Sequence, residues 1–526
     1  MISWCNFNEN WGFMGEGNYG RDRQLWVRDM YRLTKKLDPT RLVEDNSSNV
    51  SHVESDINSW HMYMNEYNRA KDMISNIVSE AYPGSKAGYV GEFRQSDTPL
   101  INSEYGGIGA GMGDQDISWS FKYLTNELRK HDKVCGYVYT ELSDIEWEHN
   151  GFLNYDRTEK SFGYNFWFPG FSLSDLNNED FFIIDNDPCP VLKSGEKLSV
   201  PVLVSHWSDV EASELTLNWH LNYVNKEGKI IYNAKGGSRK TNWKQFTVLP
   251  AGSIEIEMPE CGPVVGALCV QLSDQTGRKL AANYINVHVD SQTPRRFQLS
   301  EKKVTLRFAP NEFSVWNWGE KQHLISNHPT RQKAYSQGFG AVEYEIEIPD
   351  ELPVDLLNSI EFSAELSSKA GDERLSWPAR KNPLDYPQTD NIKFPTTVDI
   401  FINGIKAREL ILPDDPADAR GVLSHLYQFQ PGSYGWMVSA QITKDNQQEI
   451  FESIKENAKI VIRLEVPKEA NLRGGLAIFG EKLGRYPTDP AVKLTFSHEL
   501  NLPDSFQSNK PVTVNKLPYD WKALIP

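Results

Sequence analysis

The sequence lacks apolar runs of membrane-spanning length and has a deficit of positive charge. No uninterrupted apolar stretch approaches the roughly 20 residues that a bilayer span requires. Fifty-five basic side chains stand against 71 acidic ones, which gives a formal net charge of −16. This balance disfavours a nucleic-acid partner and an anionic membrane surface. The sequence therefore predicts a soluble protein that binds neither nucleic acid nor membranes.

Cysteine is also scarce. The chain has five, which are Cys5, Cys135, Cys189, Cys261 and Cys269. Because they are odd in number and lack the spacing of metal ligands, we predict mostly buried free thiols, with a pair between the last two as the alternative. No phosphate-cradling glycine loop, Cys/His metal cluster or Ser-His-Asp motif is recognisable. No cofactor and no metal are therefore required, and a structural cation at the acidic stretch 414–418 is less well supported than a solvated loop.

Aromatic residues, by contrast, are abundant. Fifteen tryptophans and 22 tyrosines suit the flat faces of sugars and suit β-sandwich cores equally well. A length of 526 residues is typical of about three domains. Composition alone thus leaves a sugar-binding protein and a β-rich protein equally open.

Strand-like and helix-like runs alternate over residues 1 to about 170, which is the pattern of a parallel α/β sheet. Apolar residues at helical spacing from Trp26 to Leu37 predict one helix, residues near 66–79 a second, and the face from Ile117 to Leu128 a third. Five strands are predicted, which are the run before Glu9, residues 41–45, residues 56–63, the run that contains Glu104 and residues 134–142. A closed (β/α) barrel needs eight strands, so this segment cannot close one alone.

Two short apolar runs of this segment end in a glutamate. Glu9 follows the run that starts at Ile2, and Glu104 follows the run that starts at Pro99. A buried parallel strand would deliver each glutamate to the carboxyl-end rim of a barrel. Two glutamates on one rim indicate glycoside hydrolysis, in which one carboxylic acid protonates the leaving oxygen and an ionised carboxylate acts at the anomeric carbon. Either glutamate taken alone is more simply a surface acid.

Several motifs in sequence order resemble the second part of a glycoside hydrolase family 2 catalytic barrel, of the galactosidase-like branch. They are Phe7-Asn8-Glu9-Asn10-Trp11-Gly12, residues 37–43, residues 56–63, Ser103-Glu104-Tyr105-Gly106-Gly107 and residues 136–144 continuing to 157. The resemblance implies that Glu9 is the acid/base, that Glu104 is the nucleophile and that the mechanism is retaining. It also implies that the five strands are barrel strands four to eight.

The chain departs from the family at its start. Family members carry a sugar-binding jelly roll, an immunoglobulin-like sandwich and barrel strands one to three before this point. We therefore expect an upstream segment or a second chain to complete the barrel. A truncated or split gene, a fragment and a second chain all remain open as explanations.

Five residues near the two glutamates are candidate substrate ligands. Asn8 offers an amide to a sugar hydroxyl, and Tyr63 can donate to Glu104 and keep it ionised. His61 shares a strand face with Tyr63 and can bind a hydroxyl. Trp11 and Tyr139 can form the walls of a sugar site. For each of the five, a structural role in packing or capping is the competing interpretation.

Beyond about residue 170 the helical period gives way to period-two alternation. Residues 171–290 are predicted to form an immunoglobulin-like β-sandwich, and residues 298–505 a jelly-roll-like β domain, with carbohydrate binding open for the latter. Residues 506–526 are predicted to form a C-terminal tail. The fold class is thus α/β plus all-β, with a partial TIM barrel before two sandwiches.

The sequence therefore predicts a retaining β-glycosidase that acts on a carbohydrate and resembles β-galactosidases. A glucuronidase would need basic groups for the sugar carboxylate, and Arg157 and Lys160 offer these only ambiguously. Family context and a carbohydrate role favour a secreted or periplasmic enzyme. The alternative is a non-catalytic carbohydrate-binding or scaffold protein that retains a barrel remnant, because an open half-barrel leaves an apolar interior uncovered.

Overall fold

The computed structural model describes most of the chain in separate stretches. The described residues are 2–10, 19–47, 51–107, 117–145, 148, 150–160, 162–210, 214–290, 297–318, 333–336, 338–368, 395–413, 421–423 and 434–502. None of the helices in these stretches is long and apolar enough to cross a membrane. The acidic stretch 414–418 and the predicted tail 506–526 lie outside them.

The first part of the chain alternates parallel strands and helices, as predicted. Its elements are β1 Ser3–Cys5, α1 Arg21–Leu37, β2 Leu42–Glu44, β3 Asn58–Tyr63, α2 Tyr67–Glu80, β4 Leu100–Gly106, α3 Ser118–Arg129, β5 Val134–Tyr139, α4 Tyr164–Trp167 and α5 Leu173–Leu176. Strand β1 pairs in parallel with β2, and β4 pairs in parallel with β3 and β5. Because all five strands lie within parallel ladders, their carboxyl ends can share an edge.

The three helices bury their predicted faces to different extents. The face of α3 from Ile117 to Leu128 is buried against the sheet, and α2 buries Ala70 and Ile74. The predicted face of α1, in contrast, leaves Leu33 and Leu37 exposed. The helix predicted at α1 is therefore confirmed, although part of its apolar face is exposed among the described residues.

The middle of the chain forms two antiparallel sheets that share one apolar core. Strands β7, β9, β10, β12 and β13 form a five-stranded sheet, and β6, β8 and β11 form a three-stranded one. The alternating apolar residues predicted between Leu215 and Tyr223, and between Ile254 and Met258, point into this core. The strands are β6 Asp180–Ile184, β7 Val191–Leu192, β8 Lys197–His206, β9 Leu215–Asn225, β10 Ile230–Thr241, β11 Thr247–Glu257, β12 Val264–Ser273 and β13 Lys279–Val289.

The last part of the chain is also mostly β, in a seven-stranded and a five-stranded sheet around a second core. The predicted alternations at 342–348, 398–402 and 460–466 all face this core. Trp316 and Trp318 stack at 5.6 Å and pack on the same core. The elements are β14 Phe297–Ser300, β15 Lys303–Arg307, β16 Val315–Trp318, β17 Lys333–Ser336, β18 Gly340–Glu347, β19 Leu357–Ser367, β20 Thr396–Ile402, β21 Ile405–Leu412, β22 Trp436–Thr443, α6 Gln448–Asn457, β23 Lys459–Val466, β24 Leu476–Phe479 and β25 Ala491–Phe496, with short 3₁₀ turns at Val354–Leu356 and Lys444–Asn446.

All five cysteines are free thiols, as predicted. The expectation that most of them are buried was wrong, because Cys5, Cys135 and Cys261 are exposed. Two of these lie on β1 and β5, the strands at the ends of the two parallel ladders. Their exposure follows from the absence of a further described strand beside them.

Candidate active site

Glu9 is held in place by backbone hydrogen bonds between the segments that follow β1 and β2. The Glu9 amide donates to the Ser47 carbonyl at 2.9 Å, and the Ser47 amide donates to the Phe7 carbonyl at 2.7 Å. The backbone of Glu9 has φ 50°, a left-handed conformation that a residue with a side chain rarely adopts. Such strain costs about 1–3 kcal/mol and is found where the surroundings fix a residue for a function.

Glu104 and His61 are neighbours on adjacent parallel strands. Glu104 lies near the carboxyl end of β4 and pairs in register with His61 on β3. Because residues opposite each other in a ladder project to the same face, the two side chains meet above the strand ends. Tyr63, two residues further along β3, projects to that face as well.

The structure brings Glu9 and Glu104 together around His61. His61 Nδ1 lies 2.7 Å from Glu9 Oε1 and 3.4 Å from Glu104 Oε2. The three atoms all lie within 4.8 Å of one another, so the two carboxylates face the same small volume. His61 is buried, whereas the side chains of Glu9 and Glu104 are 41% and 22% exposed. Both carboxylates are therefore accessible to solvent.

Two predicted ligands contact Glu104 directly. The Tyr63 hydroxyl donates to Glu104 Oε2 at 2.7 Å. Burial and this hydrogen bond raise the pKa of Tyr63 above its ordinary value, so its hydroxyl stays protonated and remains a donor. With its amide turned to suit its neighbours, the Asn8 nitrogen lies 3.3 Å from Glu104 Oε1 and from the Ser47 carbonyl. Two donors thus face Glu104 and fix the position of its carboxylate.

His61 is anchored from behind by two serines that sequence reasoning missed. Ser47 Oγ lies 2.9 Å from His61 Nε2 and donates to Ser103 Oγ at 2.9 Å. Since the single Ser47 proton goes to Ser103, Ser47 accepts from His61 Nε2. The chain of contacts fixes the ring so that Nδ1 faces the carboxylates. Only the position of Ser103 directly before Glu104 could have signalled this role.

Two other predicted ligands are not part of this group. Trp11 lies outside the described residues. Tyr139 donates to the Asn150 carbonyl at 2.7 Å, and its ring stacks on Phe152 at 4.0 Å. It also packs edge-on against Tyr105, which follows Glu104 on β4 and projects to the opposite face. Tyr139 is therefore used in packing behind the site, and its predicted role as a sugar wall gains no support from its position.

The sequence places Asp144, Glu146 and Glu148 in the loop after β5, where solvated charge is the simplest expectation and binding of hydroxyls or a cation is the alternative. Asp144 instead is buried and pairs with Lys160, also buried, at 2.9 Å. Glu148 is half-buried, and Glu146 lies outside the described residues. The expectation of a solvated charge was therefore wrong for Asp144, because Lys160 of the same loop compensates the charge of its carboxylate.

Glu141 is a further acid near this group of residues that sequence reasoning did not single out. It directly follows Thr140, whose side chain hydrogen-bonds with Tyr63. Burial, together with the nearby carboxylates of Glu148 and Asp144, raises the pKa of Glu141 to about 8. Its Oε1 atom is buried without a hydrogen-bond partner among the described residues. Glu141 is thus held largely as a neutral acid near pH 7.

We expect the Glu141→Gln variant to be more stable than the parent protein at alkaline pH. A carboxyl group whose folded-state pKa is raised stabilises the fold below its ordinary pKa near 4.5, and this stability is lost as pH rises through about 8. The glutamine cannot ionise, so the Tm of the variant should exceed that of the parent by a few degrees at pH 8.5 and equal it at pH 4.5. Thermal unfolding at the two pH values measures the difference. The exposed Glu469→Gln is the control, and an equal effect of both substitutions would contradict the account.

Two carboxylates this close on the carboxyl-end edge of parallel strands form the arrangement of a glycoside hydrolase catalytic centre. Residues 2–155 match the family described as glycosyl hydrolases family 2, TIM barrel domain. This segment is therefore a glycoside hydrolase family 2 barrel segment, and the resemblance to that family predicted from its motifs is confirmed at the level of the family. No curated protein sequence matches the chain.

Solved structures similar to this chain include β-glucuronidases. The enzyme of Bacteroides uniformis aligns over 94% of this chain and 54% of its own, at 15% identity and a TM-score of 0.27. That of Parabacteroides merdae aligns over 91% and 49%, at 12% identity and a TM-score of 0.30. A glucosidase from Croceicoccus marinus aligns over 55% and 69%, at 10% identity and a TM-score of 0.28. The chain spans about half the length of the two β-glucuronidases.

Proposed function

We propose that the protein is the carboxyl-terminal part of a retaining β-glycosidase, with Glu104 as nucleophile and Glu9 as acid/base. The observation that carries the proposal is the approach of the two carboxylates to within 4.8 Å. Retaining enzymes place their two carboxyl groups about 5–5.5 Å apart, whereas inverting enzymes need about 6.5–9.5 Å to admit a water molecule. The spacing here supports a direct attack by one carboxylate.

In the first step, Glu104 attacks the anomeric carbon while Glu9 donates its proton to the departing oxygen. In the second step, Glu9 removes a proton from water, which attacks the same carbon and releases Glu104. Tyr63 and Asn8 hold Glu104 in place for the attack. His61 lies on the Glu9 carboxyl group at 2.7 Å, where it can hold the proton that this residue must give and recover.

We propose a neutral terminal sugar of the β-galactoside type as the substrate. The basic groups considered for a uronic acid both have partners within their own loop. Lys160 pairs with buried Asp144, and Arg157 donates to the carbonyls of Tyr155 and Asp144. Glu148 adds a carboxylate nearby, whereas Glu141 is held largely neutral. A sugar carboxylate would therefore meet no net positive charge from these residues, so a neutral sugar fits better.

We further propose the domain division predicted from the sequence. Residues 1–170 would be a partial TIM barrel that carries the site. Residues 171–290 would be an immunoglobulin-like sandwich, which the two facing sheets around one core support. Residues 298–505 would be a jelly-roll-like domain, supported by the seven-stranded and five-stranded sheets around the second core. The packing of Trp316 and Trp318 on that core gives no support to a sugar-stacking platform there.

We propose that further barrel strands cover the open edges of the parallel ladders. These strands would come from a second chain or from another segment of the polypeptide. Among the described strands, β1 pairs only with β2, and β5 only with β4. Ile2 on one side and Val138 on the other are 89% and 55% exposed, and Leu37 of α1 is 76% exposed. Exposed apolar residues beside an unpaired strand edge favour pairing with further strands.

The proposal is tested by assaying two preparations. One is the chain alone, and the other is the chain together with the polypeptide encoded by the DNA directly upstream of Met1, which we call the completed protein. We expect the completed protein to hydrolyse aryl β-galactosides and to release the β-anomer first, as followed by proton NMR. Release of the α-anomer first, or no hydrolysis in either form, would contradict the proposal. A stable, inactive monomer that binds glycans would favour the non-catalytic alternative instead.

A further inference from the structure

Glu9, His61 and Glu104 also form a set of potential metal ligands. One carboxylate oxygen from each glutamate and Nδ1 of His61 lie within 4.8 Å of one another. They come from three separate segments of the chain, which are the segment after β1, strand β3 and strand β4. A single ion could therefore be reached by all three without any change in the fold.

Two of the distances between the ligand atoms are close to those around a small tetrahedral ion. Zinc binds nitrogen and oxygen ligands at about 2.0–2.2 Å, so two of its ligand atoms lie about 3.3–3.6 Å apart. The 3.4 Å between His61 Nδ1 and Glu104 Oε2 already falls in this range. The 2.7 Å between His61 Nδ1 and Glu9 Oε1 must open by less than about 1 Å. The partly exposed Glu9 side chain has room for that movement.

The groups behind the ligands are arranged as in metal sites. A ligand histidine in such sites donates its second ring nitrogen to a neighbouring acceptor, which fixes the ring. His61 Nε2 has this contact with Ser47 Oγ. Glu104 is likewise held by Tyr63. Both ligands on β3 and β4 are therefore oriented before an ion arrives.

The donor set also selects the kind of ion. One imidazole nitrogen with two carboxylate oxygens suits zinc and the neighbouring transition metals. Magnesium prefers six oxygen ligands at octahedral angles, and calcium six to eight. Three ligands that include a nitrogen satisfy neither, so these two ions should bind weakly.

We propose that Glu9, His61 and Glu104 bind zinc or a related divalent transition-metal ion, and that the bound ion inhibits hydrolysis. The ion displaces the proton shared between Glu9 and His61 and occupies an oxygen of Glu104. Glu9 then has no proton to donate, and Glu104 cannot attack. The inhibitory part rests on the proposed function, whereas binding of the ion does not.

Binding is measured on the full chain by titration with Co²⁺, followed by its visible absorption, and with Zn²⁺ by calorimetry. We expect one ion per chain, and at least about a hundredfold weaker binding by His61→Gln. Ser47→Ala, which leaves all three ligands in place, should weaken binding about 10–100-fold. The exposed His498→Gln is the control for adventitious histidine binding and should bind as the parent does. Circular dichroism establishes that each variant is folded.

Binding unaffected by His61→Gln or by Ser47→Ala, or magnesium binding as tight as zinc binding, would overturn the proposal. In the completed protein, zinc should lower the apparent kcat for an aryl β-galactoside, and magnesium should not. If zinc binds through His61 but the completed protein hydrolyses no glycoside, the metal site stands and the glycosidase function fails. If hydrolysis proceeds and zinc neither binds nor inhibits, the metal site fails alone.

Discussion

The Glu104→Gln variant of the completed protein is expected to lose hydrolysis of aryl β-galactosides, with kcat lowered on the order of 10⁴-fold or more. The neutral amide keeps the shape of the side chain but cannot form the glycosyl ester that the first step requires. Tyr63 would also face an amide in place of a carboxylate, so the site is altered little in shape. Steady-state kinetics with a nitrophenyl substrate measures the loss.

The exposed Glu66→Gln is the matched control for this substitution and should keep full activity. A second variant, Glu104→Gly, tests whether Glu104 is the nucleophile. Azide that fills the vacated space would attack from the face that Glu104 occupied and give an α-glycosyl azide. Activity of Glu104→Gln near that of the control, or azide product of the β configuration, would remove Glu104 from the nucleophile role.

The Glu9→Gln variant is expected to lose activity in a way that depends on the leaving group. General acid catalysis contributes about 10²–10⁴-fold, so an alkyl or disaccharide substrate should lose that much in kcat/KM. Dinitrophenolate departs without needing a proton, so the glycosylation step of a dinitrophenyl glycoside should change little. Rates for a series of aryl leaving groups, plotted against their acidity, measure the difference.

Azide also distinguishes the acid/base role of Glu9 from the nucleophile role of Glu104. In a Glu9→Ala variant the glycosyl-enzyme intermediate still forms from an activated substrate, and azide attacks it from the face that Glu9 occupied. The product should be a β-glycosyl azide, the opposite anomer from that of Glu104→Gly. Equal loss for good and poor leaving groups would show that Glu9 is not the acid.

The sequence predicted the elements whose periodicity reflects burial. The alternating residues 342–348 and 460–466, and the helical face from Ile117 to Leu128, are all buried as expected. The approach of Glu9 to Glu104 followed from a rule of parallel sheets, that strand ends share an edge. These inferences succeeded because each depends on a local repeat or on one topological rule.

Other features depend on which residues meet across the chain, and a single sequence does not display this. Ser47 contacts His61 and Ser103 only because the segment after β2 pairs with the segment after β1. Lys160 neutralises Asp144 from 16 residues away within one loop. Tyr139 packs behind the site because side chains alternate along β5, where its neighbour Val138 projects to the other face.

Covalent trapping tests the central claim most directly. In a 2-deoxy-2-fluoro β-galactoside with an activated leaving group, the fluorine slows both steps and the leaving group speeds only the first. The glycosyl-enzyme intermediate therefore accumulates. After digestion of the completed protein, mass spectrometry should find the fluorosugar on the peptide that contains Glu104, joined to that residue. A label on Glu9 or on any other residue, or hydrolysis that continues with no label at all, would contradict the account.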